Sequence, residues 1–112
     1  MATPSIPSRL SFAGAVRPGN TIEVRWIVGH PMETGFRVDD AGKRVTRNVI
    51  TLVRVLLNDR LLIEMEPGTG LAANPYVAFS TEVPAEGGSV TVEWLDDAGQ
   101  RGHVQQLLVL EK

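Results

Sequence analysis

The chain has 112 residues, a formal net charge of −2, no cysteine, and 43% hydrophobic against 21% charged residues. That length is one domain with enough core to stand alone, and the missing thiol excludes disulfides, thiolate metal ligands and a cysteine nucleophile. The balanced charge lacks the basic stripe of a nucleic-acid binder, and no apolar run reaches the about 18 residues of a membrane-spanning helix, so neither nucleic acid nor membrane is an expected partner.

In chain order, residues 1–7 carry two prolines and neither a basic start nor an apolar stretch. They are read as a flexible tail rather than a secretory signal. On that ground alone the protein is expected in the cytoplasm unless another chain carries it across a membrane. A first strand is predicted around Ser8–Phe12. From Thr21 to Val28 the even positions Ile22, Val24, Trp26 and Val28 are apolar, and the odd positions are polar except Ile27. This is a strand with one face in a core. Residues 30–48 then form a long irregular stretch. Loops of that size are usually functional or mobile.

Val49–Leu57 is predicted as a strand with Val49, Thr51, Val53, Val55 and Leu57 on one face. Its other face, with Ile50, Leu52 and Leu56, is almost as apolar, so the strand is central or covered by a partner. Asn58-Asp59 fits a two-residue hairpin loop because both residues tolerate positive φ. Arg60–Met65 returns with Leu61, Ile63 and Met65 inward. Tyr76–Val83 places Val77, Phe79, Thr81 and Val83 on one face. Glu86-Gly87-Gly88 turns the chain into a strand with Val90, Val92 and Trp94 inward. Asp96-Asp97-Ala98-Gly99 turns it again, and Val104–Leu110 closes the domain. About seven short strands at this length predict an all-β, immunoglobulin-like antiparallel sandwich over residues 1–112, with Trp26 and Trp94 between its sheets.

Two blocks at strand ends carry the densest chemistry: His30-Pro31-Met32-Glu33-Thr34-Gly35 and Ala73-Asn74-Pro75-Tyr76. Proline and glycine stiffen such loops, and stiff loops on a rigid scaffold collect binding residues. His30 and Met32 stand two apart, a spacing at which an imidazole and a thioether can share copper. Against that, a metal site normally needs three or four ligands and the chain has one other histidine, His103. Arg37 and Arg47 offer planar guanidinium groups for a carboxylate or sulfo-oxyanion. Alternatively they belong to a solvated loop of exposed ion pairs. Tyr76 and Phe79 are either a docking surface or ordinary core. No Ser-His-Asp order and no cysteine leave no nucleophile system, so no catalytic residue is assigned.

The first block, followed by Arg37, Asp39, Gly42 and Arg47, and the later Asn58, Ala72-Ala73-Asn74-Pro75-Tyr76, Phe79, Trp94, Asp96, Asp97 and Gly99, resembles the SoxZ family over roughly Gly19–Gly102. The chain departs from that pattern at Phe36, at Thr46 and at Gly68-Thr69-Gly70. What the resemblance implies is an immunoglobulin-like, non-enzymatic subunit without cofactor or metal. Such a subunit pairs with SoxY, whose flexible arm ends in a cysteine that carries sulfur intermediates. It also implies transient contacts with the cytochrome, the hydrolase and the sulfur dehydrogenase of sulfur oxidation, and a periplasmic location reached together with a signal-bearing SoxY. On this reading the partner-binding residues are His30, Met32, Glu33, Arg37, Arg47, Asn74, Tyr76 and Phe79. All but Phe79 are expected near one end of the sandwich. Copper handling by His30 and Met32, and a plain accessory binding module, are the alternatives.

Overall fold

A computed structural model describes residues 6–111. The seven strands are β1 (Ser8–Ala13), β2 (Thr21–Val28), β3 (Ile50–Leu57), β4 (Arg60–Met65), β5 (Tyr76–Glu82), β6 (Gly88–Asp96) and β7 (Arg101–Leu108). They form two antiparallel sheets, a three-stranded one in the order β1-β2-β5 and a four-stranded one in the order β4-β3-β6-β7. The fold is the immunoglobulin-like sandwich that the alternation predicts. Most of the tail expected over residues 1–7 lies outside the described residues. Its last two residues are held in place. Ile6 packs against the core, and the Pro7 carbonyl accepts the Gly29 amide at 2.8 Å.

The alternating strands bury the faces expected of them. Ile22, Val24, Trp26 and Val28 of β2 are all 1% exposed or less, and Val53, Val55, Val90, Val92 and Trp94 face them from the other sheet. Each such side chain contributes about 1.5–3 kcal/mol on burial. The two indole rings meet in the middle with centroids 5.8 Å apart and planes 50° from parallel, a tilted arrangement that suits their quadrupoles. At the far end of the sandwich Asn58 and Asp59 take φ of +51° and +66°, closing the β3–β4 hairpin as predicted.

Two details differ from the plain alternation, and both have one cause. A register shift between Ile50 and Leu52 lets Val49 and Ile50 both enter the core, while Thr51 is only half-buried and donates to the Leu95 carbonyl at 3.2 Å. A second shift between Val55 and Leu56 turns Leu61 outward, 53% exposed, where inward packing was expected. Such β-bulges put one extra residue in a strand and invert the phase beyond it.

Candidate functional site at one end of the sandwich

Three connections converge where β2 and β6 end: residues 29–49, residues 66–75 and the β6–β7 turn. The first is not a shapeless loop. Glu33 and Asn48 exchange both backbone hydrogen bonds at 2.8 Å, the Val45 amide donates to the Arg37 carbonyl at 2.8 Å, and Val38 bridges Arg44. Asp39 turns the tip, its Oδ1 accepting the amides of Ala41 and Lys43 at 2.9 Å. The segment is therefore a paired finger, with every residue from Phe36 to Arg44 exposed.

His30 is the root of this finger and is fully buried. Its Nδ1 accepts the Met32 amide at 3.0 Å, which requires a bare Nδ1 and leaves the ring proton on Nε2. Nε2 then donates to Asp96 Oδ2 at 3.0 Å. Asp96 is also buried, and its Oδ1 accepts the Gln100 amide at 2.8 Å. The His30 carbonyl accepts the Asn74 amide at 2.7 Å. One side chain thus ties the finger to the β6–β7 turn, and its backbone ties in the Ala73–Tyr76 block. Met32 has φ +49°, is buried, and its Sδ accepts the Ile50 amide at 3.4 Å.

Further out, Asp97 fixes the other leg of the finger. Its Oδ2 accepts Val49 N–H at 3.1 Å and Arg47 Nε–H at 3.0 Å. The Val49 amide first, and then Arg47, hold this carboxyl below the usual carboxylate range, against some opposing desolvation. Glu33 receives both Nε and Nη2 of Arg37, at 2.6–3.1 Å, and that guanidinium lowers its pKa. Gly35 has φ +92°, and a Cβ there would stand 3.1 Å from Cβ of Arg47, so glycine is needed both for the turn and for the close approach.

The structure brings His30, Met32, Glu33, Arg37, Arg47 and Asn74 to this one end, with Tyr76 opening β5 beside them. It divides them by depth. His30 and Met32 are interior and build the loop end, while Arg37, Arg47, Asn74 and Tyr76 are exposed on it and Glu33 is half-buried. Phe79 stands apart. It lies three residues from Tyr76 in a strand, hence on the opposite face, half-buried against the core and opposite Val24. Tyr76 and Phe79 therefore form no joint surface, and Phe79 is a core residue. The sequence reading missed Asp96 and Asp97 as site residues and took them for a turn. The signal was present in β6, where Val90, Val92 and Trp94 put Asp96 next in the inward phase.

Chemically, both ring nitrogens of His30 are committed to structural bonds, so the ring has no free atom to take a substrate proton. Met32 Sδ is likewise engaged. Copper would have to displace the Met32 amide, Asp96 and the Ile50 amide to use this pair. Among the described residues no three His, Cys, Asp or Glu side chains are placed to hold a metal together.

Fold and site together define a small antiparallel sandwich whose loop end is fixed from inside by a buried His–Asp pair. By sequence, the chain belongs to the SoxZ family, described as sulphur oxidation protein SoxZ, whose model matches residues 11–106. The family has a role in sulfur oxidation. No curated protein matches the sequence. Among solved structures, the fold is similar to a candidate superoxide reductase from Thermotoga maritima, with TM-score 0.67 and 13% identity, covering 94% of this chain and 86% of that one. It is also similar to a superoxide reductase (neelaredoxin) from Ignicoccus hospitalis, with TM-score 0.66 and 17% identity over 93% and 80% of the two chains. A hypothetical protein from Pyrococcus horikoshii follows at TM-score 0.61 and 10% identity, over 97% and 92%. At these identities the likeness is one of fold.

Proposed function

We propose that this chain is the non-catalytic subunit of a sulfur-carrier pair, binding SoxY and holding it so that its cysteine-bearing arm reaches the enzymes of sulfur oxidation. The observation that carries this reading is the loop end. A fully buried His30–Asp96 pair fixes the backbone of a loop end on which Arg37, Arg47 and, beside the finger, Tyr76 are exposed and Glu33 is half-buried. Tyrosine and arginine are enriched among the residues that dominate protein–protein affinity, and a fixed backbone reduces the ordering cost of binding. The absence of cysteine from the sequence suits a subunit that leaves covalent sulfur chemistry to its partner. Glu33, Arg37, Arg47, Asn74 and Tyr76 are the contact residues, supported from within by His30 and Met32. The cytochrome, hydrolase and sulfur dehydrogenase visit the same pair transiently, and the protein works in the periplasm, exported together with SoxY.

Native mass spectrometry of the chain co-expressed with SoxY tests the reading. A one-to-one complex that survives dilution and weakens on Tyr76→Ala supports it. Two separate monomers, or a complex indifferent to every loop-end variant, would remove the assigned contact role.

A further inference from the structure

Among the described residues, no layer covers the outer face of the four-stranded sheet. Across it the registers set Glu64 opposite Arg54, Arg54 opposite Glu93, and Glu93 opposite His103. One row thus crosses all four strands and reads acid, base, acid, imidazole, and all four side chains are exposed. Arg54 Nε stands 3.1 Å from Glu64 Oε1. Leucines flank the row on both sides. Leu52 lies opposite Leu95 on one side. On the other are half-buried Leu56 and, further along, Leu62 and Leu107, which are 43% and 61% exposed. A hollow of about 410 Å³ opens beside the row, lined by Arg54, Glu93, Arg101 and His103 among others.

We propose that this face is a contact between two copies of the chain, packed sheet to sheet about a two-fold axis that runs along the strands between the sheets. That operation reverses the strand order, so β4 lies over β7 of the second copy and β3 over β6. An alternating row of four then complements itself. Glu64 meets His103 of the second copy, and Arg54 meets its Glu93. Turning the axis to run along the row instead would set Glu64 on Glu64 and Arg54 on Arg54. The charges therefore select one of the two ways of stacking these sheets. The selected way also sets Leu52 over Leu95 and allows the aligned packing usual for sandwiches. Arg101 adds to the argument. It makes no ion pair among the described residues and stands at the hollow that Glu64 of the second copy approaches. Enclosed ion pairs roughly break even against their desolvation, so the leucines carry the affinity and the charges fix the register. The inference is independent of the partner reading above.

Sedimentation velocity of the full chain over a dilution series tests it. The wild type is expected to dimerise with rising concentration. Arg54→Glu should weaken the dimer at least tenfold with an unchanged near-ultraviolet spectrum. Arg54→Glu combined with Glu93→Arg should restore it, because the swap keeps opposite signs facing. If Arg54→Glu disturbs folding, His103→Glu on the edge strand gives the same reading. A chain monomeric at every concentration, a dimer indifferent to the single variants, or a double swap that fails to restore it would overturn the proposal. So would variants that leave self-association intact and break only the SoxY complex.

Discussion

At the scale of single residues, the loop end rests on groups that touch no solvent. His30→Leu keeps the volume but strips the Met32 amide of its acceptor and leaves Asp96 with only the Gln100 amide. Removing one member of a buried polar pair usually costs more than the pair contributes, because the survivor stays desolvated. Urea unfolding of His30→Leu should show a loss of about 3 kcal/mol, whereas Tyr76→Ala, at a side chain 55% exposed, should stay within about 0.5 kcal/mol. The outer carboxylates make a second, pH-dependent layer. Asp97 and Glu33 both titrate below their ordinary range in the folded chain. A carboxyl with a depressed folded pKa stabilises the fold above its unfolded pKa, and that stability disappears as pH falls through the folded value. The thermal midpoint is therefore expected to lose nothing from these two groups between neutrality and about pH 5, and to fall as the pH drops through about 4 and below. Asp97→Asn should lower the midpoint at neutral pH and flatten that acid limb. An acid limb of unchanged steepness in Asp97→Asn would show that the finger's anchor does not depend on this charge.

At the scale of elements, β6 and β7 are registered by a missing side chain. Gly102 lies opposite Trp94, and a Cβ at that glycine would stand about 2.0 Å from the indole ring. The ring occupies that space, so Gly102→Ala must push it aside in a closely packed core. Overpacking of this kind costs about 1–3 kcal/mol. Gly102→Ala is expected to lose stability in that range and to change the near-ultraviolet signal that the Trp26–Trp94 pair dominates. A variant with wild-type stability and spectrum would show that the ring is free to move. The same pair of strands shows what the sequence made legible. Alternation alone located β2, β5, β6 and β7 and both tryptophans, because a strand buried on one face must repeat every second residue. It misplaced Leu61 and Thr51, because a bulge inverts the phase and leaves little mark where both faces of a strand are largely apolar, as in Ile50–Leu57. Phe79 was grouped with Tyr76 by proximity in the chain, although three residues in a strand separate two faces. His30 was placed in the right block, but its burial depended on Asp96, 66 residues away, a contact that no local pattern contains.

At the scale of the molecule, the finger and the sandwich are separable. The finger's legs are paired through Glu33–Asn48 and Arg37–Val45, and residues 38–44 beyond that point are all exposed. They bury no apolar surface that the core needs, and a shorter loop costs slightly less entropy to close. Replacing residues 38–44 by Asn-Gly, the residue pair suited to a tight hairpin, should leave the thermal midpoint within a few degrees. The His30–Asp96 pair, the Asp97 contacts and both tryptophans are untouched by that change. If the finger tip contributes to partner recognition, the shortened chain still folds but its complex with SoxY, or the productive visit of an enzyme to that complex, weakens. Titrating the folded variant against SoxY, and then measuring turnover with the reconstituted enzymes, separates these two uses. Loss at the first step assigns the tip to SoxY, and loss only at the second assigns it to the visitors. Wild-type behaviour at both steps would confine recognition to the base of the finger, around Arg47 and Asn74, where the backbone is most firmly held.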